Sequence, residues 1–193
     1  MDTDAASISG SWVLDVTRSD TMGGYLRHLH APEHFIQRQV AGEQDTESRN
    51  VIAVHTDKVV FHKSTVVNNF TETHYFGADL VKQTEYGQMR TITSLVNPCD
   101  RSGLVTTVST QNFDGQELCM LETRQLTEGG QAHTQVLTIQ NVATEEYVTT
   151  RRTWMRVPTT SSDIQEISVE MRDDVRACGN PAPCVRWVPG CRE

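Results

Sequence analysis

From about residue 48 onward, apolar and polar positions alternate in short runs rich in Thr, Val and Gln. A period of two marks strands whose successive side chains face opposite ways. The runs are Asn50 to His55, Lys58 to Lys63, Thr65 to Phe76, Leu80 to Thr84, Gln88 to Val96, Leu104 to Gln111, Glu117 to Leu126, His133 to Val142 and Tyr147 to Val157. Thr56-Asp57, Phe76-Gly77, Tyr86-Gly87, Asn97-Pro98, Asp114-Gly115 and Gly129-Gly130 separate them, and each pair has turn chemistry. A further strand around Ser11 to Val16 makes ten.

Regularly spaced strands without long helices between them predict an antiparallel meander, and a meander of this length closes to remove its edges. The expected fold is all-β: a ten-stranded antiparallel up-and-down β-barrel. Polar residues stand on both faces of several strands. In Arg152-Thr153-Trp154-Met155-Arg156 one face is Arg/Trp/Arg and the other Thr/Met, and Met120 to Arg124 is polar on both faces. A barrel with such an interior encloses solvent and a ligand instead of packing solid.

A helical section is expected only between the first two strands, at about 20–44. Ser19 or Asp20 would cap its first piece, Pro32 would divide it and Gly42 would end it. Tyr25, Leu26 and Leu29, then Phe35, Ile36 and Val40, recur at helical spacing. Two short helices there predict a helix-turn-helix lid. Residues 1–9 read as a leader, 10–157 as the barrel, and 158–193 as a C-terminal extension that starts with a Pro/Thr/Ser linker and contains Gly179-Asn-Pro-Ala-Pro183.

Charge narrows the partners. Lys and Arg number 17 against 25 Asp and Glu, a net charge of −8, whereas a nucleic-acid binder normally carries a basic excess. The barrel itself is net acidic, so inward arginines would stand against its overall sign. No run approaches the roughly 18 to 20 apolar residues that cross a bilayer. The start of the chain has no apolar run of a secretory signal, and five cysteines, three of them crowded at the end, do not form a secreted disulfide framework. The expected location is the cytoplasm.

Several segments in order resemble the intracellular lipid-binding proteins, the family of fatty-acid-binding and cellular retinoid-binding proteins. Gly10-Ser11-Trp12-Val13-Leu14 is similar to their opening strand, and Val51 to Gly77 to their second to fourth strands. Phe76-Gly77-Ala78-Asp79-Leu80 resembles the turn into the fifth. Phe113-Asp114-Gly115-Gln116-Glu117 resembles a W-D-G-x-E turn with Phe for Trp, and Thr123-Arg124-Gln125-Leu126 and Arg151 to Val157 resemble later strands. The resemblance implies a lipid carboxylate held inside the barrel by two arginines and a tyrosine, whose places fall to Arg124, Arg152 and Trp154. Trp154 offers one N–H donor and no acceptor, so it replaces a tyrosine hydroxyl only in part. Glu122, two residues before Arg124 on the same strand face, can occupy Arg124 as an internal salt bridge.

The expected function is therefore non-covalent binding and carriage of a fatty acid or similar lipid carboxylate. Tyr25 and Met22 of the lid, with Met120, Phe61, Tyr75 and Phe113, are expected around its apolar body. The alternative is an enzyme or pigment-binding protein on the same barrel; no nucleophile elbow, phosphate loop or H-E-x-x-H motif selects a reaction. No cofactor and no metal are expected: His28, His30 and His34 diverge on a helix, the terminal cysteines have no C-x2-C spacing, and most of the seven histidines are expected on solvated surface. Cys119 is expected to point away from the cavity if Arg124 points in. The expected partner is a hydrophobic small molecule and no nucleic acid; transient membrane contact and a protein partner for the extension are compatible with it.

Overall fold

The computed structural model of the chain describes residues 7–65, 69–84, 87–97, 101–160 and 163. The alternating runs form ten strands: β1 (Gly10–Leu14), β2 (Arg49–Val54), β3 (Lys58–Ser64), β4 (Asn69–Tyr75), β5 (Asp79–Thr84), β6 (Gly87–Leu95), β7 (Gly103–Gln111), β8 (Glu117–Thr127), β9 (Ala132–Asn141) and β10 (Tyr147–Val157). They make one sheet in the order β4-β3-β2-β1-β10-β9-β8-β7-β6-β5. Because β1 pairs antiparallel with β10, the meander curls round on itself. The ends of the order, β4 and β5, meet through side chains: Glu72 pairs with Lys82, and His74 Nδ1 lies 2.7 Å from Thr93 Oγ1 of β6. The result is a nearly closed all-β barrel.

Turn chemistry sets the register. In the β7–β8 turn Asn112 Oδ1 accepts from the backbone N–H groups of Asp114 (3.0 Å) and Gln116 (2.9 Å). Gly115 follows at φ +78°, a conformation open to glycine and costly with a Cβ. Helices α1 (Gly23–His28) and α2 (Glu33–Asp45) lie between β1 and β2, divided at Pro32. The expected caps differ. Asp20 Oδ2 accepts from the Arg151 N–H of β10, and the Ser19 hydroxyl donates to the Asp15 carbonyl, so neither caps α1. Gly42 does not end α2, because its carbonyl accepts from Thr46 N–H within a helix that continues to Asp45.

At the barrel end remote from the lid, Ile8, Trp12, Leu14, Ile52, Val54, Val59, Phe61, Leu104 and Trp154 form the apolar core. Residues 7–9 belong to that floor: Ile8 is fully buried, and the Arg156 guanidinium donates to the carbonyls of Ser7 and Ser9 while covering the Trp12 ring at 4.2 Å. Beyond β10, Asp163 is pinned to the outer wall, accepting from Ser11 Oγ (3.0 Å), Arg49 Nη2 (2.8 Å) and Thr160 N–H (2.6 Å). The rest of the extension, with Cys178, Cys184 and Cys191, lies outside the described residues.

Candidate functional site

A strict period of two converts register into an inner surface. Arg124 on β8 stands across from Gln135 on β9, which stands across from Arg152 on β10. Glu122 pairs laterally with Leu137 and Thr106, and Met120 with Ile139 and Val108. From the other wall β3 contributes Phe61 and Lys63, facing Glu72 and Phe70 of β4. Met120, Glu122, Val108 and Leu137 all point inward yet stay only partly buried. The middle of the barrel is therefore not packed solid, whereas the floor is.

Three polar groups occupy this interior. The first is built on Arg124, 1% exposed, whose Nε donates to Glu122. Burial opposes charge on Glu122, but the Arg124 guanidinium and the Lys63 ammonium, with hydrogen bonds from Arg124 and Gln135, outweigh it and hold the carboxyl at about 2. Arg124 Nη1 is buried without a partner among the described residues, and the guanidinium lies over the Phe61 ring at 5.5 Å. Lys63 Nζ sits 5.4 Å from the Phe61 centroid and 5.7 Å from that of Phe70. Burial pushes its ammonium down from the ordinary lysine value, with Glu122 partly countering it.

The second group ties lid to wall. Arg152 Nη1 donates to Glu43 Oε1 of α2 at 2.9 Å; both are nearly fully buried. Gln39 Nε2 (3.3 Å) and the Met22 backbone N–H (3.4 Å) also donate to the Glu43 carboxylate, while Arg152 Nε has no partner among the described residues. The third is at the β4–β6 seam. Burial works against the Glu72 carboxylate, but hydrogen bonds from His74 and Lys82 bring it to about 2. His74 in turn reaches Thr93, which lies 2.9 Å from Thr106.

The expected residues separate on this map. Arg124, Glu122, Met120 and Phe61 share the inner surface, and Tyr25 of α1 reaches down to it, its hydroxyl donating to Met120 Sδ at 2.8 Å. Burial, helped by the Glu122 charge, pushes that phenol above its usual range. Arg152 also faces inward, but Glu43 holds it. Trp154 needs correction: its indole N–H donates to Gln135 Oε1 at 2.8 Å and its ring belongs to the apolar floor, so it offers no donor to a ligand. Tyr75 needs correction too, since it is 39% exposed on the outer face beneath the Lys58 ammonium. Phe113 is 38% exposed in the β7–β8 turn, its backbone N–H donating to Leu29 of the lid. Met22 contributes its backbone to Glu43.

The histidines depart furthest from expectation. His62, His74 and His133 are buried. His133 lies between Trp12 (centroids 4.7 Å, edge-on) and Trp154 (6.0 Å, stacked), with neither ring nitrogen partnered among the described residues. Burial, then the positive charges of Arg124 and Arg156, push it down to about 2, so it is neutral. Cys119 is exposed, pointing away from the cavity. Among the described residues no group of three His, Cys, Asp or Glu side chains could hold a metal. An open cleft of about 520 Å3 between His28 of α1 and Thr144–Val148 shares no residue with the charged groups.

Sequence reasoning missed Glu43, Gln135 and Lys63. For Gln135 and Lys63 the signal was available: both lie on the inward parity of strands whose partners were singled out. Glu43 sits at the end of a helix with a broad polar surface, and no local feature distinguishes it.

No protein-family model and no curated protein matches the chain. Solved structures do. It is similar to a fatty acid transporter, REP1-NXSQ, at 13% identity and TM-score 0.58, covering 79% of this chain and 98% of that one. It is similar to lipid binding protein 8 of Caenorhabditis elegans at 15% identity and TM-score 0.54, covering 77% and 94%. An abundant heat soluble (SAHS) protein of Ramazzottius varieornatus aligns at 10% identity and TM-score 0.57, covering 78% and 95%. At these identities the shared property is the fold, and the chain has the ten-stranded, helix-lidded barrel of fatty-acid-binding-protein-like structures.

Proposed function

We propose that this chain reversibly binds one lipid-like molecule inside its barrel and carries it in the cytoplasm, with a fatty acid or similar lipid carboxylate as the ligand. The observation that carries this reading is the inner surface itself. Partly buried Met120, Val108 and Leu137 offer apolar area next to two donors, Arg124 Nη1 and Lys63 Nζ, that hold no acceptor among the described residues. Burial of the alkyl chain would contribute roughly 0.8 kcal/mol per CH2. A carboxylate beside Lys63 would favour its charged form and restore a positive partner for the arriving anion. Arg152 is tied through Nη1 to Glu43 of the lid, whereas Arg124 keeps its Nη1 without an acceptor among the described residues. The fold shared with a fatty acid transporter and a lipid binding protein supports the same reading.

The test is displacement of a fluorescent fatty-acid probe by hexadecanoate and by hexadecanol. Arg124→Met should weaken hexadecanoate by about tenfold or more, from the loss of a charge-assisted hydrogen bond of about 1.5–3 kcal/mol, and hexadecanol far less. Equal losses would remove Arg124 from the ligand head.

A further inference from the structure

Lysine occurs in the chain only at 58, 63 and 82, and every other cation is an arginine. Lys58 is outside the barrel over Tyr75, and Lys82 is paired with Glu72 at the seam. Lys63 differs from both. It lies on the inward parity of β3, across from Phe70 and Asn50. Two phenyl rings flank its amine, and among the described residues no carboxylate lies within ion-pair distance and no acceptor within hydrogen-bond distance. Arginine stays protonated at any ordinary pH; a desolvated lysine does not, and its free amine is a nucleophile. The surroundings act in that direction, since burial disfavours the ammonium and the nearby Arg124 charge adds to the effect, against Glu122 and Glu72.

We propose that Lys63 is a covalent capture site for long-chain aldehydes, which it binds as an imine inside the barrel. The inference rests on the lipid-binding reading and adds a chemical class to it. The Lys63 Nζ lone pair attacks the aldehyde carbon, and a proton passes from nitrogen to the former carbonyl oxygen to give a carbinolamine. Loss of water then forms the C=N bond, so amine and aldehyde give imine and water with no change of oxidation state. When the imine nitrogen takes a proton from solvent, the ionised Glu122 supplies the opposing charge; its carboxyl, held at about 2, stays anionic throughout. Phe61 and Phe70 provide the apolar walls through which the first carbons of the chain would run. An aldehyde would thus be held longer than the alcohol or acid of the same length, and released by hydrolysis.

The full chain is incubated with hexadecanal, reduced with cyanoborohydride and digested for peptide mass spectrometry, while displacement of the fluorescent probe by hexadecanal, hexadecanol and hexadecanoate is measured in parallel. The expected result is one hexadecyl group per chain, on Lys63, well in excess of modification at Lys58 and Lys82, and its loss in Lys63→Arg. Mapping on the unsubstituted chain does not depend on how that variant folds. Displacement by hexadecanal with no adduct, or with adduct only on Lys58 or Lys82, overturns the covalent site and leaves lipid binding standing. Failure of all three compounds to displace the probe overturns the lipid-binding reading and the capture site with it.

Discussion

The Glu43–Arg152 pair makes a quantitative prediction about the lid. Glu43 is 4% exposed and Arg152 5%, so removing one partner strands the other's charge in a site that cannot rehydrate. Breaking a buried pair from one side costs about 3–5 kcal/mol, and Glu43 also accepts from Gln39 and the Met22 backbone. Glu43→Leu should therefore lower the urea stability by about 3–5 kcal/mol. Arg152→Met should cost a similar amount. The double variant should lose much less than the sum, because two apolar side chains of similar volume replace the pair. The assay is equilibrium urea unfolding of the four proteins near pH 7. Additive losses would refute the reasoning, since they would mean that the residues contribute independently and the lid is not fastened at this point. Glu43→Leu also frees Arg152 Nη1, so where the variant folds, hexadecanoate should bind more tightly relative to hexadecanol.

Further predictions follow from other buried polar groups. His133 is depressed to about 2 from an ordinary 6.5, so the unfolded chain binds a proton there that the folded chain refuses. Its stabilising contribution is complete above pH 6.5 and is lost progressively as pH falls towards 2. At pH 5 the loss is about 2 kcal/mol, and His133→Leu should flatten the change in urea midpoint between about pH 7.5 and pH 5; an unchanged slope would place the proton elsewhere. Glu122 and Glu72, both at about 2 against an ordinary 4.5, keep their contribution above pH 4.5 and lose it as pH falls through that window, so a second, steeper acid destabilisation should appear there. Asp163→Ala should cost about 1–3 kcal/mol in thermal unfolding, since Ser11 and Arg49 lose their shared acceptor; a neutral result would show that the start of the extension contributes nothing to barrel stability.

The fold was legible because its signal is periodic. Tyr147 to Val157 alternates so regularly that the expected strand and β10 coincide, and Asp114-Gly115 fixes the turn before β8 through the Asn112 side chain. Candidate site residues were legible where parity decided them: Arg124, Glu122 and Arg152 follow from counting by two along β8 and β10. Parity failed where the counting origin was missing. Tyr75 looks like a cavity aromatic in isolation, yet its neighbour His74 takes the inward position, against Phe61 at 5.3 Å. Histidine is intermediate in burial, so its type alone decides nothing; the burial of His133 depends on Trp12 and Trp154, more than a hundred residues apart in the chain. Glu43 could not be read at all, because its role exists only once α2 lies across β10.

The most direct measurement of the central claim is carbon-13 NMR of hexadecanoate labelled at its carboxyl carbon and titrated into the chain. The account predicts one bound carboxyl resonance per chain that remains ionised well below the usual carboxylate range, because Arg124 and Lys63 lie beside it. A bound carboxyl that titrates as it does in water, or no bound resonance, would contradict a lipid head held within this barrel.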